Sequence, residues 1–145
     1  GVSKKIIDSL MAIDPETKCI VMGDLNDDPV SPSVAKVLNA KQKPEQVKPG
    51  GMFNPWIDFY KQGIGTLAYN DAWNLFDQII ISYGFLSKQQ DGVFYRTARI
   101  FNRDFMVQKT GRFKGYPLRT WDGNIYNQGY SDHFPTYLEF LKEVK

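Results

Sequence analysis

The chain has 145 residues and a mass of 16.7 kDa, enough for one ordinary domain, since a chain of this size buries roughly 68–70% of its unfolded surface. With 42% hydrophobic residues, 23% charged residues and a net charge of +2, the composition excludes intrinsic disorder and gives no overall reason for tight binding to nucleic acid or an anionic membrane. A single cysteine, Cys19, excludes an intramolecular disulfide and a cysteine zinc site, and the longest apolar runs, such as 79–81, fall far short of the about 20 residues of a membrane span.

Gly1 in place of an initiator Met reads as an expression scar or the start of an excised fragment rather than a natural start. Behind Ser3, a candidate N-cap, Ile6, Ile7, Leu10 and Met11 recur at helical spacing, which predicts an amphipathic helix over 3–13. The apolar run 19–22 predicts a short strand buried on both faces and ended by Gly23. Ser31-Pro32 carries a cap-plus-proline signal for a second helix through Val34, Val37 and Leu38. Residues 40–51 read as a loop, and Asn54-Pro55 repeats the cap signal for a short helix stopped by Gly63. Buried strands follow at 76–82 and 137–141, and shorter, partly exposed ones at 93–99 and 118–126, the last broken by the hairpin signal Asp122-Gly123. No internal repeat and no linker divides the chain, so the class is mixed α and β in one domain spanning 1–145.

Three polar clusters stand at or beside strand ends: Gly23-Asp24-Leu25-Asn26, Asp77-Gln78-Ile79 and Ser131-Asp132-His133. A carboxylate and an amide two residues apart can aim both polar tips into one cleft while Leu25 turns away. Singly, each cluster has an ordinary structural explanation: an Asx turn at 24–26, a solvated strand end at Asp77, a hydrogen-bonding imidazole at His133. Because His133 is the only histidine, a two-histidine zinc site within the chain is excluded. Together the clusters supply what metal-assisted phosphoester hydrolysis needs: hard oxygen ligands for Mg²⁺ or Mn²⁺, a base for water, and donors for phosphoryl charge. An Asp77–His133 pair would fix the imidazole tautomer and favour a cation facing the phosphate.

The order GDLNDDP at 23–29, FDQI at 76–79 and SDHFP at 131–135 resembles the C-terminal half of the endonuclease/exonuclease/phosphatase family, which includes DNase I-like nucleases and inositol polyphosphate phosphatases. The resemblance implies an α+β fold that is part of a four-layer α/β/β/α sandwich, two mixed sheets flanked by helices, with its N-terminal half missing. It implies that Asp24 orients or deprotonates the attacking water, and that Asn26 holds the scissile phosphate and that water. Asp77 would support the catalytic His133, Asp132 would be a metal or water ligand, and His133 would stabilise the transition state. Family members carry an Asn and a metal-binding Glu on earlier strands, for which there is no room before Ile20, so the site is expected to be half a site and the chain inactive alone.

Between residues 95 and 121 seven basic residues face a single acid, Asp104, with aromatic residues interleaved. This stretch is either a solvated face or a phosphate-binding one, and Arg112, Lys114 and Arg119 in its loop are the candidate substrate-binding residues. The expected partner is a phosphoester substrate, whether nucleic acid, sugar phosphate or phospholipid head group. A sheet lacking its neighbours should also drive self-association of the chain. The competing expectation is a non-catalytic binding or assembly fragment of a degenerate homologue.

Overall fold

The computed structural model describes residues 1–88 and 92–143. Its described part is a mixed α+β fold of several small antiparallel sheets and few helices. Helix α1 (Val2–Ile13) starts one residue before the expected boundary. Gly1 rather than Ser3 takes the cap position, and no side chain caps it. Ile7 and Met11 are buried, but Val2, Ile6, Leu10 and Ile13 remain exposed, so the helix carries two apolar stripes and covers only one.

Strand β1 (Ile20–Asp24) continues through Gly23, which extends it instead of ending it. It pairs antiparallel with the later strand at Asp77–Ser82. β1 is not buried on both faces: Ile20 is 43% and Met22 71% exposed. β1 occupies the edge of its three-stranded sheet, and the residues that pack on Ile79 and Ile81 of the neighbouring strand do not reach Ile20 and Met22 beside them. An apolar run reports the residues' preference, not whether a neighbour exists to satisfy it.

The helix expected after Ser31-Pro32 shrinks to one wide turn, Ser33–Val37, whose Val34 is buried. No side-chain cap holds it; the Ser31 carbonyl accepts from the Val34 and Ala35 N–H groups instead. The loop 40–51 contains the short 3₁₀ turn Pro44–Gln46. It leads into β2 (Met52–Phe53), which pairs with the Asp77–Ser82 strand on the side away from β1. Helix α2 (Trp56–Lys61) forms where the Asn54-Pro55 signal placed it: Asn54 Oδ1 accepts from the Trp56 N–H at 3.0 Å, and Gly63, at φ +75°, follows the helix.

A hairpin absent from the sequence reading comes next: β3 (Leu67–Tyr69) pairs with β4 (Ala72–Asn74) around Asn70-Asp71. Both turn residues have positive φ, +48° and +62°, the signature of a two-residue turn matched to strand twist. Strand β5 (Asp77–Ser82) is the buried centre of the first sheet. β6 (Val93–Ile100) pairs with the final strand, Thr136–Lys142, with a bulge between Tyr95 and Thr97. The stretch 118–126 yields only the small exposed hairpin of β7 (Trp121–Asp122) and β8 (Ile125–Tyr126). The final strand, β9 (Thr136–Lys142), is half-buried, with Tyr137 and Leu141 exposed.

The core lies on both faces of β5. On one face Ile80 packs with Ile7 and Met11 of α1 and with Val34 and Met52. On the other, Ile81 and Ile79 meet Tyr95, Leu138 and Phe140 of the β6–β9 sheet, and Trp56, Leu75 and Ala98 close the layer beside them. The opposite face of β6–β9 is mixed: Arg99 Nε lies 2.8 Å and Arg96 3.8 Å from Glu139, on the same side as the exposed Tyr137 and Leu141.

Candidate active site

The pairing of β1 with β5 places Asp24 directly opposite Asp77. The Leu25 N–H donates to the Phe76 carbonyl and the Ser82 N–H to the Cys19 carbonyl. The Asp24–Asp77 pair therefore falls between hydrogen-bonded pairs, at the position where opposing side chains lie closest. His133 arrives from the segment just before β9. Its Nδ1 is 2.8 Å from Asp77 Oδ2 and 4.0 Å from Asp24 Oδ2. Each of the three residues offers a ligand atom, all within 4.8 Å of one another.

Local bonds fix each member. The Asn26 N–H donates to Asp24 Oδ1 at 2.9 Å, an Asx turn that leaves the other oxygen toward the imidazole. Asn26 itself sits in the left-handed region, φ +50°, and is exposed. Leu25 turns inward and packs on the α1 core. Asp77 Oδ2 accepts from the hydroxyl of Thr66, which is fully buried, as well as meeting His133. Against a carboxylate the Nδ1 nitrogen is the protonated one. The His133 N–H donates to Ser131 Oγ at 3.1 Å, shaping the turn that delivers the ring.

Behind the carboxylates lies a buried amide network. Asn54 Nδ2 donates to Gln78 Oε1 at 2.9 Å, and Gln78 Nε2 donates to the carbonyls of Asp27 and Leu75. Gln78 follows Asp77 on β5, so its side chain anchors the opposite face of the strand that carries the carboxylate. Asp28 accepts from the Leu75 N–H and from Asn74 Nδ2, at 2.8 and 2.9 Å, and ties the 24–28 loop to the β4–β5 connection. Its negative charge also raises the phenol of Tyr60 above its ordinary range.

Of the residues singled out from sequence, Asp24, Asp77 and His133 come together. Asn26 adjoins them through its backbone, and no hydrogen bond of its side chain occurs among the described residues. Asp132 is exposed and lies outside the three-residue group; His133 turns in to Asp77, while Asp132 lines a shallow cleft with Arg119, Trp121 and Tyr130. Arg112 and Arg119 line a separate cavity, and Lys114 is exposed and not part of that lining. Arg96 and Arg99 of the basic stretch face Glu139, and Lys109 pairs with Asp104 at 3.3 Å. Thr66 and Asn54 carried no sequence signal for this site, and Gln78 and Asp28 lay within the motifs at 76–79 and 23–29 without being singled out; their roles depend on contacts between distant segments.

A family model for the endonuclease/exonuclease/phosphatase family matches residues 1–142. An α+β fold that sets two carboxylates and an imidazole around one point is in keeping with that class, and the chain belongs to this family. Its members are generally divalent-metal-dependent hydrolases, nucleases and phosphatases among them. Searches of curated proteins and of solved structures gave no match. The donors fit a hard divalent cation: Asp24 Oδ2 and Asp77 Oδ1 accept no hydrogen bond among the described residues, and Mg²⁺ is typically held through one or two carboxylates. Among the described residues no helix is long and apolar enough to cross a membrane.

Proposed function

We propose that the protein carrying this chain is a metal-dependent phosphoester hydrolase, a nuclease or phosphatase that acts by in-line attack of water, and that this chain supplies the C-terminal half of its active site. The observation that carries the reading is the convergence of Asp24 and Asp77 on His133 from three distant segments. Chance polar strand ends have no reason to converge in this way. On this reading the chain is the C-terminal part of one four-layer α/β/β/α domain and is inactive alone.

Asp24 takes up a proton from the attacking water, held in orientation by its Asx turn. Asn26, exposed beside it, donates to the scissile phosphate and positions the same water. Asp77, braced by Thr66, holds His133 in one tautomer, and the imidazole meets the charge that grows on the phosphate. A Mg²⁺ or Mn²⁺ held by Asp24 and Asp77 would supply electrostatic stabilisation of the phosphoryl oxygens. Arg112, Lys114 and Arg119 lie on the substrate side. The test is a panel of phosphodiesters and phosphomonoesters with Mg²⁺ or Mn²⁺ and the full-length protein; hydrolysis of none of them would refute the reading.

The isolated chain associates with a second copy through β1. Hydrogen-bonded pairing to β5 uses the N–H and C=O groups of Val21 and Gly23, which leaves those of Ile20, Met22 and Asp24 at the outer edge. Beside that edge, Ile20 and Met22 are exposed. A two-fold axis through Met22 would make this edge self-complementary. The pairing would border Asp24, in keeping with inactivity of the chain by itself.

A further inference from the structure

A cavity of about 340 Å³ lies between the tip of the β3–β4 hairpin and the loop before β7, at the lower end of the roughly 300–1,000 Å³ typical of small-molecule sites. Tyr69 and Phe113 are among the residues lining it, the first 69% and the second 42% exposed. Asn70, Gln108 and Asn127 add planar amides to its lining. Arg112 and Arg119 share the cavity with Asp71 and Asp122, so the two signs balance there. A bare phosphate would gain little from balanced charge. A heterocycle with both donors and acceptors on its edge, and faces to stack, matches this lining.

The cavity is tied to the candidate active site. Tyr116 Oη accepts from the Asp71 N–H and donates to Asp71 Oδ1, at 2.9 and 2.6 Å, and so locks the hairpin tip. The Tyr116 ring meets Phe113 at 5.5 Å and Trp73 at 6.0 Å, and Trp73 stacks on Phe134, the neighbour of His133. Just before the same hairpin stands Thr66, which bonds Asp77. The three extended residues of β3 put the near end of the cavity roughly 10 Å from Thr66. Arg119 also lines the shallow cleft with Ser131 and Asp132, which continues the path toward His133. Among the described residues, the side chains of Asn70, Asn127 and Arg119 make no hydrogen bond or ion pair, and the Arg112 guanidinium lies over the Phe113 ring at 5.6 Å, so that a base would stack on the opposite face of that ring.

We propose that this cavity is a base-binding subsite: it takes the heterocycle of a nucleotide one or two units along a single strand whose phosphate lies at the Asp24–Asp77–His133 group. This rests on the hydrolase reading for the position of the phosphate and narrows its substrate to nucleic acid. Tyr69 and Phe113 stack on the base, the amides read its edge, and Arg119 contacts the phosphate between subsite and active site.

The test measures binding in EDTA, where hydrolysis plays no part. A short labelled thymidine strand and an abasic strand of equal length and phosphate number are titrated with the full-length protein by fluorescence anisotropy. The base-containing strand should bind at least about five-fold more tightly, the low end of what stacking on an aromatic side chain supplies. The Tyr69→Ala/Phe113→Ala double variant should abolish that preference. Equal binding of the two strands, binding of neither, or a preference that survives the double substitution would overturn the proposal. A preference found in a protein that hydrolyses no phosphoester would support the subsite and refute the hydrolase reading alone.

Discussion

Asp24 and Asp77 stand opposite one another across the β1–β5 ladder, with one imidazole near both and the hydroxyl of Thr66 on the second. Like charges placed directly across a strand pair destabilise it. Such an arrangement is unfavourable as architecture and useful for gathering a cation.

Asp24→Asn should therefore raise the melting temperature slightly in EDTA. Added Mg²⁺ or Mn²⁺ should stabilise the wild-type protein, because a ligand that binds the folded state raises its stability, and should stabilise the variant much less. Thermal melts with and without the ion check both outcomes. A wild-type melting temperature indifferent to either ion, or a clear fall in the variant, would count against the paired carboxylates as a cation site.

Thr66 is the buried brace of the group. Thr66→Val preserves its shape and removes the donor to Asp77, which should cost about 1–3 kcal/mol of stability. Turnover should fall roughly 10–100-fold, as when a supporting partner of a metal-site ligand is lost. Thr66→Ser should recover most of the turnover. If serine failed to rescue while folding normally, the hydroxyl would not be what positions Asp77.

How much of this was legible in the sequence differs from element to element. The cap at Asn54-Pro55 and the strand at Asp77–Ser82 depend on local chemistry and pattern, and both formed near their expected places. Ser3 was misleading, because a cap residue inside a possible first turn cannot report that the helix starts at Val2. The β3–β4 hairpin left a signal that went unread: Asn70-Asp71, two residues that tolerate positive φ, between aromatic residues at Tyr69 and Trp73. The nearness of Asp24, Asp77 and His133 was suggested by motif order, but their register is a property of strand pairing. Thr66 could not be found at all, since nothing around it in the chain refers to a carboxylate eleven positions later.

The open edge of β1 makes a separate prediction. Sedimentation of the 145-residue chain should show a concentration-dependent dimer, and Met22→Lys should convert it to monomer, because lysine on an exposed strand edge opposes strand pairing. Met22 is 71% exposed, so the substitution leaves the core intact. A wild-type monomer at all concentrations, or a dimer unaffected by the lysine, would exclude association through this edge.

The most direct measurement compares the wild-type full-length protein with His133→Ala and Asp24→Ala in metal-supported phosphoester hydrolysis, with folding checked by circular dichroism. Loss of a positioned acid, base or charge stabiliser should lower turnover by at least about 100-fold in each variant, with the fold retained. Wild-type rates in either variant would contradict the assignment of Asp24 and His133 to the chemistry.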